Sequence, residues 1–233
     1  MIAEALAQVR SRIERAAIAA GRDPSQVKLV AVSKTKAPEL VREAHAAGQR
    51  AFGENYAQEL ASKAEALSDL PGIEWHFIGH LQTNKARVVA KQAHVVHTVD
   101  SEALARELGK RAAKEARAAA LPVLIEVSVG GEAQKAGATG SEIAEVMRAV
   151  QAQPSLALRG LMTMPPADDL DAARRVFETL VSLRNLHGGA AVLPELSMGM
   201  TADLEVAVAC GATLVRVGTA IFGARGRGTE REG

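Results

Sequence analysis

The sequence predicts a single (β/α)8 barrel preceded by one extra helix, on three observations. Short apolar runs alternate with helix-favouring stretches along the whole chain, there are eight such runs, and the length of 233 residues suits that fold. Strands separated by helices pair in parallel through right-handed crossovers. An open doubly wound sheet is the alternative with the same alternation. No Pro-, Gly- or Ser-rich linker and no charge block divides the chain, so residues 1–233 are expected to form one domain.

The opening "MIAEALAQVRSRIERAA" reads as an amphipathic helix. The apolar runs follow as "KLVAVS" (28–33), "RAFG" (50–53), "EWHFIG" (74–79), "HVVHTV" (94–99), "PVLIEVSV" (122–129), "LALRGLM" (156–162), "ELSMG" (195–199) and "TLVRVG" (213–218). Between them "PELVREAHAAG", "SEALARELGKRAAKEARAA", "SEIAEVMRAVQAQ" and "LDAARRVFETLVSLRNLHG" are rich in Ala, Leu, Glu, Lys and Arg, which favour helix. Glycines close several of them, as helix stops do. Met147 and Phe177 lie on apolar helix stripes and read as filling between helices and barrel.

Composition limits the function. Hydrophobic residues make up 48% and aromatics 3%, so the core is aliphatic. A formal charge of +1 from 28 basic and 27 acidic residues lacks the basic excess of a nucleic-acid binder. Cys210 is the one cysteine, which excludes an internal disulfide and a cysteine metal cluster. With no signal-like N-terminus and no membrane-length apolar run, the expectation is a cytoplasmic protein without a membrane partner. The glycine- and arginine-containing tail "GARGRG" reads as a frayed end.

In a barrel of this kind the chemistry sits where the strands end. Two lysines, Lys34 and Lys36, follow the first apolar run. Burial there would lower an amine's pKa, and a neutral amine attacks carbonyls. They share strand parity, so alternation does not choose between them; Lys34 is nearer the apolar run, and Lys36, nearer Pro38, is expected to be solvated. After the seventh run, Ser197 to Thr201 leads into "ADLEVAVACG", where Thr201 could cap a helix whose free N–H groups face an anion. Gly218 and Thr219 after the eighth run offer close backbone approach and a hydroxyl. Caps and turns alone would also account for these segments. Taken with Lys34, they describe a phosphate-bearing aldehyde such as pyridoxal 5'-phosphate (PLP). A Schiff-base aldolase acting on a sugar phosphate needs similar parts, but leaves Arg216 unexplained. Arg216 lies inside the eighth run and needs a partner, either a buried carboxylate such as Glu126 or a ligand ring. A donor-only guanidinium would keep a pyridine nitrogen unprotonated and weaken the ring as an electron sink.

"AVSKTK", "FGENY", "WHFIGHLQTNK", "KAG", "RGLMTM", "LSMGMT.D" and "VRVGTAIFGAR" occur in that order, over roughly residues 5 to 225. This ordered set resembles the PLP homeostasis (YggS/PROSC) family, which is similar to the barrel domain of alanine racemase standing alone. The resemblance implies that PLP is held as an aldimine on Lys34. It implies that Gly218, Thr219, Thr201 and Ser197 hold the phosphate, that Arg216 faces the pyridine nitrogen, and that Asn55 lies near the ring. Thr201 stands where serine is more usual, and the hydroxyl is kept. The resemblance implies buffering, storage or delivery of PLP rather than efficient catalysis. The alternative is a weak racemase. Alanine racemase takes its second base, a tyrosine, from a C-terminal domain for which this chain is expected to have no counterpart; its one tyrosine is Tyr56.

Metal binding is not expected, because His76/His80 and His94/His97 fall in or beside strands, without the shared helical face that such spacing would need. Lys36 and Lys135 are candidate secondary amines in PLP release, with PLP-dependent apo-enzymes as possible recipients. The aromatic-poor surface favours a monomer.

Overall fold

The computed structural model describes residues 1–129 and 137–224. Lys135 and most of the "GARGRG" tail lie outside them. All eight apolar runs form strands: β1 Lys28–Val32, β2 Ala51–Glu54, β3 Glu74–Phe77, β4 Val95–Val99, β5 Leu121–Glu126, β6 Leu156–Met162, β7 Glu195–Ser197 and β8 Leu214–Val217. They close in sequence order into a parallel barrel. The seam pairs Val30 with Arg216 and Ala31 with Val217. The expected open-sheet alternative is thereby excluded.

The helices are α1 Ile2–Ala19, α2 Pro38–Ala46, α3 Ala57–Ala66, α4 Ala86–Gln92, α5 Glu102–Ala112, α6 Ile143–Gln151, α7 Leu170–Leu186, α8 Gly189–Val192, α9 Leu204–Ala209 and α10 Thr219–Phe222. Pro38 opens α2, where its missing N–H costs nothing. Ser101 and Asp169 cap α5 and α7 through their side chains. α5 stops at Ala112, short of the expected stretch to residue 119. No described helix is long and apolar enough to cross a membrane.

Strand alternation sorts the core into two layers. Leu29, Phe52, Trp75, Phe77, Val96, Val123, Ile125, Leu161, Leu196, Val215 and Val217 belong to the large cluster shared with the helices, which also buries Met147 and Phe177. Val30, Ala51, Leu124, Met162 and Leu214 form a small separate cluster inside the barrel. Val95 packs against that cluster and Val32 lines the barrel mouth, while other inward positions carry polar groups or glycine. Gly160 allows β6 and β7 to approach, since a Cβ there would lie 1.8 Å from the Glu195 carbonyl oxygen. Gly160→Ala is therefore expected to destabilise the fold by about 3 kcal/mol or more. Thermal unfolding should show a Tm lower by about 6 °C or more.

Candidate functional site

The turn after β1 carries the first functional side chain. Lys36 N–H donates to the Ser33 carbonyl at 3.0 Å, closing a tight turn. Its third residue, Thr35, has φ 61°, a left-handed conformation that a β-branched residue rarely adopts. Lys34 and Lys36 are both half-buried, and both line one cavity of about 320 Å3 at the barrel mouth. Lys36 is not freely solvated as expected: its Nζ donates to the carbonyls of Gly223 and Ala224, each at 3.0 Å.

The cavity is also lined by Val32, Asn55, Ile78, Met164, Met200, Thr201, Ala202, Arg216, Gly218, Thr219 and Gly223. Six of the anticipated residues, Lys34, Asn55, Thr201, Arg216, Gly218 and Thr219, thus share one space. Asn55 reaches it because Gly79 leaves room: a Cβ there would lie 2.1 Å from the Asn55 carbonyl oxygen. The Asn55 Oδ1 is buried without a protein partner. Gly218 packs against β1, where a Cβ would come 3.0 Å from the Val32 carbonyl oxygen. In the short α10 the Ile221 and Phe222 N–H groups donate to the Gly218 carbonyl, each at 2.9 Å, which leaves the amides of Thr219 and Ala220 ahead of any intrahelical acceptor.

Two expectations need correction. Thr201 does not cap a helix: α9 starts at Leu204, and Thr201 lies in the preceding turn. Asp203 shapes that turn instead, its Oδ1 accepting from Met200 N–H at 2.5 Å. Ser197 does not reach the cavity wall. It is fully buried, with its hydroxyl 2.6 Å from an Arg216 Nη and 2.8 Å from His97 Nδ1. It is therefore a buttress of Arg216, with no free edge for a ligand.

Arg216 also differs from the expected salt bridge. Its second Nη donates to the Thr163 carbonyl at 3.0 Å. Glu126 and Asp203 act on it only through space, and burial lowers its pKa to about 10, leaving it charged at neutral pH. Glu126 is itself buried, with one carboxylate oxygen lacking a partner. Burial raises its pKa.

Behind Arg216 runs a chain that sequence parity could not show. His97 Nε2 lies 2.8 Å from His76 Nδ1, and His76 Nε2 lies 3.6 Å from Glu74. Arginine only donates, so the Ser197 oxygen accepts from it; the Glu74 carboxylate at the far end only accepts, which favours the arrangement in which the Ser197 hydroxyl donates to His97 Nδ1. His97 then carries its proton on Nε2 and donates to His76 Nδ1. His76 carries its proton on Nε2, facing Glu74, whose carboxylate is held at a pKa of about 2, chiefly by His76 and also by Lys28. The acceptor-only carboxylate at one end and the donor-only cation at the other both suit these tautomers. Among the described residues no cluster has the composition of a metal site.

Burial lowers the pKa of both His76 and His97. The unfolded chain takes up protons near 6.5 that the folded protein refuses. Their contribution is thus present above pH 6.5 and lost as pH falls below it. Thermal melts between about pH 7.5 and 5 should show Tm falling by about 2–4 °C for each kcal/mol lost, with a shallower acid slope in His97→Gln.

Residues 5–226 match the family described as alanine racemase, N-terminal domain. The chain is 49% identical over 232 residues to the pyridoxal phosphate homeostasis protein of Pseudomonas aeruginosa, covering 97% of each. It is 42% identical to that of Escherichia coli K12, covering 96% of this chain and 97% of the relative. PipY of Synechococcus elongatus, at 36% identity, superposes with TM-score 0.85 without PLP and 0.81 with PLP bound; each match covers 96% of this chain and 100% of PipY. Alanine racemase of Corynebacterium glutamicum, at 21% identity and TM-score 0.67, shares the fold, with the match covering 96% of this chain and 62% of the racemase. Sequence, barrel and the residues gathered at its mouth agree on one assignment: the chain belongs to the pyridoxal phosphate homeostasis protein family.

Proposed function

We propose that this protein binds PLP at the barrel mouth and takes part in its intracellular homeostasis, by buffering, storage or delivery. The observation that carries the reading is the single cavity walled by Lys34, Arg216 and the Gly218–Thr219 turn. PLP offers an aldehyde, a phosphate and a pyridine nitrogen, and the wall offers a complement to each. Lys34 supplies the amine that condenses with the aldehyde, releasing water and forming a Schiff base. Thr201, Thr219 and the backbone around Gly218 supply hydroxyl and amide donors for the phosphate. Arg216 supplies a fixed positive donor toward the ring nitrogen, and the buried Oδ1 side of Asn55 gains a partner that the protein itself does not provide.

The same wall supports holding over turnover. Arg216 cannot accept a hydrogen bond from a protonated ring nitrogen, the form in which the ring is a strong electron sink. Tyr56 is 54% exposed and is not among the residues that line the cavity. A two-base racemase needs an acid/base group on each face of its substrate carbon, and Lys34 serves one. The solved PLP-bound form of PipY supports the cofactor assignment. The single, half-buried Cys210 suits a reducing cytoplasm, and the low aromatic content of 3% favours a monomer.

Purified protein mixed with PLP is expected to develop a yellow absorbance band that borohydride bleaches, with the reduced adduct mapped by peptide mass to Lys34. Lys34→Ala should abolish the band. A protein that stays colourless at saturating PLP would overturn the reading. Arg216→Met should weaken PLP retention at least about tenfold in dialysis, through loss of a buried charge-assisted contact.

A further inference from the structure

The turn that presents Lys34 is strained, and a buried ionic cluster grips it from behind. β2 directs Glu54 away from the barrel interior, into the layer between sheet and helix, where it is fully buried. Lys63 of α3, only 6% exposed at its side chain, meets it there at 2.7 Å. The same Lys63 Nζ donates to the Ser33 carbonyl at 2.6 Å, and the Ser33 hydroxyl donates to Glu54 at 2.7 Å. Glu59, one helical turn before Lys63, approaches its Nζ at 3.2 Å and accepts the Thr35 N–H at 2.8 Å. Ser33 and Thr35 flank Lys34, so both neighbours of the amine are held by groups on β2 and α3.

The arrangement is more than a core salt bridge. Thr35 sits at φ 61° where a turn with this sign normally has glycine. Such strain persists only where surrounding contacts over-determine the backbone. Lys63 fixes the residue before the amine and Glu59 the residue after it. Burying Lys63 and Glu54 also carries a desolvation cost that an apolar pair would avoid. Burial pushes the Glu54 carboxyl up to about 7, against the pull of Lys63 and Ser33.

We propose that Lys63, Glu54 and Glu59 are positioning residues whose role is to hold the strained Ser33–Lys36 turn, and with it the Lys34 amine, in register with the cavity. The inference rests on the reading of Lys34 as the cofactor amine, and deepens it by naming what aims that amine.

The test uses the full chain, first without PLP. Hydrogen exchange of the Thr35 amide and acetic anhydride labelling of Lys34 are read by peptide mass in wild type, Glu59→Ala, Glu59→Gln, and the paired Glu54→Gln/Lys63→Met, which leaves no unpaired charge between them. Thr35 exchange should accelerate about tenfold or more in Glu59→Ala and in the paired variant. Glu59→Gln, which keeps an acceptor, should stay within about threefold of wild type. Lys34 labelling should change in the same two variants, and PLP added afterwards should be released faster from them. Adding Thr35→Gly, which removes the strain, should restore Lys34 labelling and PLP retention towards wild type. If the paired variant does not fold, Glu59→Ala with and without Thr35→Gly decides. Unchanged Thr35 exchange and Lys34 labelling in cooperatively folded variants would overturn the proposal, as would losses that Thr35→Gly does not repair. A wild type that takes up no PLP would instead remove the cofactor reading, while the exchange data would still report on the clamp.

Discussion

The β1–β8 seam is the constraint from which the site follows. Hydrogen bonding sets Val30 beside Arg216, and the parallel sense makes both strands leave the barrel at the same rim. The turn after β1 and the turn after β8 therefore meet without any help from side chains. Gly218 lies against Val32, and Lys36 reaches the carbonyls at Gly223 and Ala224. Were the same strand order left open, β1 and β8 would be opposite edges, and Lys34 would lie far from the Gly218–Thr219 turn. Closure thus does what no local motif could: it brings the Lys34 amine and the Gly218–Thr219 turn, far apart in the chain, to one wall.

Inside the barrel the packing is a compromise between filling and wiring. A purely aliphatic interior would be cheaper to bury than the polar line from Arg216 through Ser197 and His97 to His76. That line pairs Arg216, Ser197 and His97, ends at His76 Nε2, which has no hydrogen-bond partner and faces Glu74 at 3.6 Å, and leaves the guanidinium little freedom to rotate. The cost is concentrated in neutral imidazoles, which is a mild way to place polarity in a core. Glycines at 79 and 160 complete the interior by letting backbones touch where any side chain would force them apart.

Much of this was readable in the sequence, for physical reasons that can be named. Period and length exposed every strand, because parallel strands buried on both faces are short apolar runs. Lys34, Asn55, Thr201, Gly218 and Thr219 were findable because each follows or ends a run, and Arg216 because it is a charge inside one near its end; the fold sends all run ends to one rim. Ser197 was misplaced because its run, β7, ends at that residue, and parity turns it inward under Arg216. Thr201 was misread because "GMTAD" places a capping-type hydroxyl in front of a helical pattern, while Asp203 takes over the turn. The His76–His97 pair depends on the β3–β4 register, which parity within one strand does not contain. The Glu54–Lys63–Glu59 cluster had a partial signal, a carboxylate ending an apolar run followed by an i, i+4 Glu–Lys pair on the next helix. Nothing local said that all three would close on Ser33 and Thr35.

The N-terminal helix belongs to the last part of the barrel as much as to the first. Arg12 of α1 holds Glu205 of α9 through two hydrogen bonds, at 2.7 and 2.8 Å, and the Thr201 carbonyl at 2.9 Å. β1 likewise has β8 for its second neighbour. On a ribosome these partners emerge last. The first-made helix and strand must wait for almost the whole chain, with one strand edge unpaired and ready to mispair. Until then the turns after β7 and β8 do not exist, so a partly made chain has Lys34 and its backing from Glu54, Glu59 and Lys63 but no completed cavity around them.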